Sequence, residues 1–160
     1  MIEILDFKNE MQIEIKKFVI ENMKKELNIE NKEVFSKVTI DLDNIDENYI
    51  KNGGVFLVAF DTEKNFIVGT ISIKFENNFA ILKRFYVDEK YRNMKIGLLL
   101  YKTLEERIIY KNIKEVYLVS GKHLINARKF YERNGWEIEE NNPGIYVRNG
   151  AFLFKKNFIN

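Results

Sequence analysis

The sequence predicts an α/β fold: a mixed, mostly antiparallel central sheet flanked by helices. Three observations carry that expectation. Residues 55–87 read as an antiparallel meander, with apolar strand-length runs separated by the polar turns 61–65 and 76–78. Residues 79–120 read strand, helix, strand, which requires one parallel pairing through a right-handed crossover. Near the start, Ile15, Phe18, Val19, Met23 and Leu27 recur at helical spacing within residues 11–27.

Taken in chain order, residues 2–6 are expected to form a first strand, followed by the 11–27 helix. The segment 28–42 is mixed and carries no assignment, and residues 43–51 read as a short helix capped by Asp43. Gly53 and Gly54 punctuate the chain. Val55 to Phe60 is a continuous apolar run, as in a strand covered on both faces. Ile67, Gly69, Ile71, Ile73 and Phe75 alternate with more polar neighbours, as in a half-buried strand, and Phe79 to Val87 completes the meander. A helix over 92–111 follows, with Ile96, Leu99, Leu100, Leu104 and Ile108 as its apolar stripe. Strand 115–120, helix 125–134, strand 136–139, a loop at 141–144 and a last strand within 146–156 close the chain.

Composition narrows the function classes. A chain of 160 residues with 46% hydrophobic and 31% charged residues is expected to be one globular domain over 1–160. The net charge is only +2, from 26 basic and 24 acidic residues, and no basic patch with interleaved aromatics stands out, so nucleic acid is not an expected partner. With no cysteine there is no disulfide, thiol nucleophile or thiolate metal site. The opening Met-Ile-Glu-Ile-Leu-Asp shows no basic region or long apolar run, and no stretch approaches the roughly 20 apolar residues of a membrane span. A soluble, cytoplasmic protein is the expectation, with no membrane partner.

The most informative stretch is residues 91–97, Tyr-Arg-Asn-Met-Lys-Ile-Gly, between an apolar strand and an amphipathic helix. A helix start leaves backbone N–H groups unpaired at the positive end of the helix dipole, which makes such a turn an anion seat suited to phosphate. Gly97 allows close backbone approach, and Arg92 and Lys95 add positive charge. The plainer alternative is an ordinary strand-to-helix turn with solvated basic side chains.

A second segment weighs against that alternative. Residues 126–136 read as a short helix closed by Gly135 as a left-handed cap, carrying Asn126, Phe130 and Tyr131 and followed by Trp136. Together the two segments resemble the acyl-CoA-binding half of the GNAT acetyltransferase superfamily, over roughly residues 55–156. In that family a strand leads to Arg/Gln-x-x-Gly-x-Gly/Ala, and later an Asn-led helix carries Phe-Tyr and closes at Gly-Phe. Here Arg92-Asn93-Met94-Lys95-Ile96-Gly97 answers the first pattern, with Lys95 where glycine is usual. In the second, Trp136 replaces phenylalanine.

The resemblance implies acetyl-CoA as cosubstrate, no metal, and a splayed sheet that opens where the cosubstrate lies. It implies that Arg92, Asn93, Met94, Lys95, Ile96, Gly97 and Leu98 cradle the pyrophosphate. Lys95 is tolerable there if its backbone need not take a positive φ; weaker or adjusted binding is then expected, not its loss. The strand end Phe85-Tyr86-Val87 would pair with the extended pantetheine arm, although these residues also read as plain core. Asn126 would contact the same arm and, read alone, would cap its helix. Tyr131 stands at the family's acid position and would protonate the departing thiolate; read alone, it is a core residue beside Phe130.

The general base is less defined. His123, the single histidine, or a water chain is the expected base, and Glu76, Asp88 and Tyr146 are weaker candidates. The sidedness of Lys83 and Arg84 turns on a bulge that the sequence does not place. The acceptor is expected to be a small-molecule or peptide amine, and Asp41, Asp43, Asp46 and Glu47 would favour a cationic one if they were free. A homodimer is an expectation by resemblance alone. The function these readings imply is an acetyl-CoA-dependent N-acetyltransferase working by direct attack; the alternative is a non-catalytic module of the same fold that binds or senses acyl-CoA.

Overall fold

The computed structural model describes residues 1–27 and 30–158. Of the unassigned segment 28–42 and the single domain expected over 1–160, residues 28, 29, 159 and 160 lie outside the described residues. Seven strands, β1 (Ile2–Asp6), β2 (Val55–Asp61), β3 (Phe66–Glu76), β4 (Phe79–Val87), β5 (Glu115–Gly121), β6 (Glu137–Ile138) and β7 (Ala151–Asn157), form one sheet in the order β1-β2-β3-β4-β5-β7-β6. Every pairing is antiparallel except β4 with β5. The helices are α1 (Gln12–Leu27), α2 (Lys32–Val38), α3 (Ile96–Tyr110) and α4 (Ile125–Arg133).

Two large cores sandwich the sheet, and a small third cluster gathers Ile81, Tyr117 and Leu153. On one face Ile15, Phe18, Val19 and Met23 of α1 pack with Phe56 and Val58 of β2. On the other, Leu100, Tyr101, Leu104 and Ile108 of α3 pack with Leu57, Ala59 and Val68. Strand β3 is therefore not half-buried as its alternation suggests. Its polar members Thr70 and Ser72 are fully buried, and their hydroxyls donate to the carbonyls of Arg84 (2.7 Å) and Lys83 (2.6 Å). Satisfied in this way, a hydroxyl can occupy a core position at little cost.

Helix α3 starts later than its stripe implies, at Ile96 and not at residue 92, because Asn93 (φ 65°) and Lys95 (φ 60°) are left-handed and break the helical run. Its buried face is also rotated. Tyr101 is fully buried whereas Leu99 is 45% exposed, since the helix lies on β3 through Leu100. A Cβ added at Gly69 would sit 2.8 Å from Leu100 Cδ1, so glycine is what permits this close approach.

Residues 32–38 form α2, capped by the Asn31 side chain, which accepts from the N–H groups of Glu33 and Val34. Asp43 is not a helix cap. It ends a 3₁₀ turn (Ile40–Asp43), and Asn44 accepts from Glu47 N–H before the single π-type turn Asp46–Ile50. Residues 146–150 do not join the last strand, which begins at Ala151 after Gly150. No helix among the described residues is long and apolar enough to cross a membrane.

Candidate active site

The site begins where two strands part. β4 pairs with β5 only at Ala80–Val116 and Ile81–Tyr117; beyond them the strands separate, and the β5-side edge of residues 83–87 carries no ladder partner among the described residues. The bulge that the sequence does not locate falls here. Thr70 faces Tyr86 and Ser72 faces Lys83, so β4 carries one residue more than β3 across this interval, and Arg84 takes a left-handed backbone (φ 56°). After it, Phe85 and Val87 turn toward the α3–α4 core, and Tyr86 toward the α1 core. Phe85 meets α4 edge-on, its ring centroid 5.5 Å from Phe130 and 6.5 Å from Tyr131.

The turn into α3 lies against the same strand end. A Cβ built on Gly97 would stand 3.6 Å from Val87 Cγ2 and 3.7 Å from Phe85 Cζ, which are ordinary contacts. The fold itself thus does not require glycine at 97, but the loop strains at Lys95. Lys95 is the N-cap, is left-handed, and gives no side-chain cap. The condition for tolerating lysine there, a backbone without positive φ, is not met. The first ladder bond of the helix runs from Leu99 N–H to the Lys95 carbonyl at 3.0 Å. The N–H groups of Ile96, Gly97 and Leu98 precede it and have no intrahelical acceptor. Arg92 is exposed and its Nε donates to the Val87 carbonyl at 3.4 Å, while Met94 is 58% exposed. Tyr91 anchors the loop by donating to Asp61 at 2.7 Å.

Tyr131 reaches the gap from α4. Its ring is 8% exposed and packs on Phe130, Trp136 and Phe154. Its hydroxyl makes no hydrogen bond within the described residues and is not fully sealed from solvent. Burial pushes its pKa well up, with the Glu26 and Tyr86 charges adding to the effect. The far end of α4 is fixed by a polar cluster. Trp136 Nε1 donates to the Tyr101 hydroxyl (2.9 Å), and Lys156 Nζ donates to Glu105 and to the Asn134 carbonyl, both at 2.6 Å. The indole at 136 thus has a hydrogen-bonding role that phenylalanine lacks.

Asn126 is not a cap. Leu124 precedes the helix, and Asn126 sits exposed in the first turn, four residues before Phe130 on the same helix face. His123 is exposed and folds onto the end of β5, where a Cβ on Gly121 would be 2.6 Å from its Cε1 and 3.6 Å from Arg148 Nη2. Glu76 is tied to Lys83 at 2.7 Å; burial raises its carboxyl, but Lys83 and Lys74 outweigh that and hold it low. Asp88 accepts from Lys90 N–H, and Tyr146 is 85% exposed. None of these three is poised as a base.

The four acids that would have favoured a cationic acceptor are engaged within the protein. Asp41 pairs with Arg84, Asp43 with Lys16, and Asp46 and Glu47 with Lys51. The carboxylate that does face the gap is Glu26, in the last turn of α1, which sequence reasoning overlooked. It is half-buried, with the Tyr86 hydroxyl turned toward it and Arg148, His123 and Arg92 within electrostatic reach. Burial lifts its pKa, and those cations only partly offset the rise. Tyr86 in turn is pushed up to about 12 by burial and by the Glu26 charge. No signal in the sequence separates Glu26 from the other charged residues of α1.

The sheet thus parts beside an uncapped helix start, with Phe85, Val87 and Tyr131 at the opening. The chain belongs to the GNAT acetyltransferase family, whose profile matches residues 20–136. A GNAT-family acetyltransferase from Staphylococcus aureus Mu50 is 31% identical, with a TM-score of 0.84 over 98% of this chain and 99% of that one. The PaiA N-acetyltransferase of Thermoplasma acidophilum, solved with coenzyme A, shares the fold at 22% identity (TM-score 0.77, 99% of each chain). A GNAT acetyltransferase from Elizabethkingia anophelis with acetyl-CoA bound does so at 19% identity (TM-score 0.66, 98% of each chain). No curated protein matches the sequence.

Proposed function

We propose that the protein transfers the acetyl group of acetyl-CoA to a primary amine by direct attack, with Tyr131 protonating the departing sulfur. The observation that carries this reading is the Tyr131 ring beside Phe85, at the unpaired edge of Phe85-Tyr86-Val87, with its hydroxyl free of hydrogen-bond partners among the described residues. The residues fit the cosubstrate. The free N–H groups of Ile96, Gly97 and Leu98 would hold its phosphates, with Arg92 and Lys95 adding charge. The open edge of β4 would receive the amide-bearing arm as an extra strand.

Transfer forms a C–N bond and breaks a C–S bond. The sulfur leaves with an electron pair and needs a proton. Burial keeps the Tyr131 phenol neutral, so the proton is in place. A free thiol has a pKa of about 8.5 and a phenol about 10, which makes donation uphill in water. Burial raises the Tyr131 phenol as well, so donation is favoured only where the thiolate, expelled into the same enclosed gap, is raised more. Release of free thiol from acetyl-CoA across a panel of primary amines tests the reading. Binding without turnover across the panel would favour the non-catalytic alternative.

A further inference from the structure

The last turn of α1 is fixed over the open end of β4 by two contacts. Arg84 Nη1 donates to Met23 Sδ at 3.1 Å, and Lys25 Nζ pairs with Glu89 at 3.3 Å. Glu26 lies three residues beyond Met23, on the same helix face, and so projects one step further along β4, to Tyr86. Its carboxylate has no ion-pair partner among the described residues within salt-bridge distance, and the Arg84 guanidinium is committed to Asp41. The Tyr86 hydroxyl of β4 is hydrogen-bonded to Glu26, and three cations lie within electrostatic reach of it: Arg92 from the loop after β4, His123 from the end of β5, and Arg148 from the loop before β7. Tyr131 on α4 lies within electrostatic reach of it.

The carboxylate and the Tyr131 phenol thus approach the gap from opposite cores of the sheet, Glu26 from the α1 side and Tyr131 from the α3–α4 side. Acyl transfer to an ammonium needs this division. One proton must leave the nitrogen before attack, and another must reach the sulfur as the C–S bond breaks. His123, exposed and folded onto Gly121, is less enclosed than Glu26.

We propose that Glu26 is the proton acceptor for the acceptor amine, an assignment that rests on the acetyl-transfer reading above. The ammonium gives its first proton to a Glu26 carboxylate oxygen, directly or through one water, and that proton passes to solvent. The freed nitrogen attacks the carbonyl carbon. The second proton, shed once the C–N bond has formed, returns through solvent to Tyr131, which has given its own proton to the sulfur.

The test compares two small amine probes at neutral pH and saturating acetyl-CoA: ethylamine, which is an ammonium there, and hydroxylamine, which is not. Glu26→Gln should slow turnover of ethylamine by about 10²-fold or more and that of hydroxylamine by less than about tenfold. Glu26→Asp should restore part of the ethylamine rate, and both variants should keep the thermal shift given by acetyl-CoA. Equal losses on the two probes, or no loss on either, would overturn the assignment. A wild-type protein that shows no acetyl-CoA shift would sink the acetyl-transfer reading itself and this assignment with it. Binding without turnover of either probe would also remove the assignment but leave the cosubstrate seat standing.

Discussion

Arg84 and Asp41, 43 residues apart, form a buried bidentate pair: Nε donates to Oδ2 at 3.0 Å and Nη2 to Oδ1 at 2.5 Å. Tyr49 donates a further hydrogen bond to Oδ2, and Arg84 Nη2 also donates to the Val38 carbonyl at 2.7 Å. The arginine occupies the bulge of β4, so this pair fixes where the strand changes register and which side chains then face the gap. Arg84 is held charged by its partner despite burial, and the guanidinium more than offsets the burial that would raise Asp41.

Breaking that pair should be costly. Asp41→Asn leaves a buried guanidinium without its counter-charge and is expected to destabilise by about 3–5 kcal/mol in urea unfolding. The pH dependence follows from the sign. The carboxyl of Asp41 is depressed in the folded state, so its contribution is complete above the unfolded value of about 3.9 and fades as pH falls through the folded one. The wild-type advantage over the variant should be flat at neutral pH and shrink below about pH 4. An advantage that instead faded toward alkaline pH would contradict this account.

Lys95→Gly is predicted to stabilise. A non-glycine residue in the left-handed region costs roughly 1–2 kcal/mol, and glycine returns about 0.5–1 of that through unfolded-state entropy. A net gain of up to about 1 kcal/mol should appear as a higher Tm, with acetyl-CoA affinity falling by no more than a few-fold at physiological salt, where the lost exposed charge is largely screened. A lower Tm would show that the lysine side chain contributes more than its backbone costs.

Trp136→Phe places the family's usual residue at the close of α4. It removes the indole donor to Tyr101, a net loss of about 1 kcal/mol, and part of the packing on Tyr131. The Tm should fall while kcat changes by less than tenfold, roughly, because the Tyr131 hydroxyl is untouched. A kcat collapse with unchanged Tm would mean that Trp136 positions the phenol.

Tyr131→Phe should lower kcat by about 10²–10⁴-fold and leave the acetyl-CoA Kd within a few-fold. The ring packing survives the change, so unfolding should be little affected. Undiminished turnover would remove Tyr131 from the mechanism.

Features encoded locally were legible in the sequence. The meander of β2 to β4, the crossover through α3 and the Gly135 cap (φ 86°) follow from period, turn residues and glycine placement. Features that depend on how distant segments meet were not. The Arg84 bulge exists only in the register between β3 and β4, and Asp41 looks like any solvated acid until Arg84 arrives. Leu99 and Tyr101 are both compatible with the period of α3, and contact with Gly69 through Leu100 decides which is buried. Glu26 carries no motif; the packing of α1 on β4 brings it to the gap.

The most direct measurement is thermal unfolding with and without acetyl-CoA, with adenosine and inorganic pyrophosphate as separate controls. A ligand at 100 times its Kd adds about 2.7 kcal/mol to the native state, and a clear rise in Tm with acetyl-CoA alone is the predicted result. No rise at millimolar acetyl-CoA would contradict the account, because the helix start at Ile96 and the open edge of β4 would then hold no such ligand.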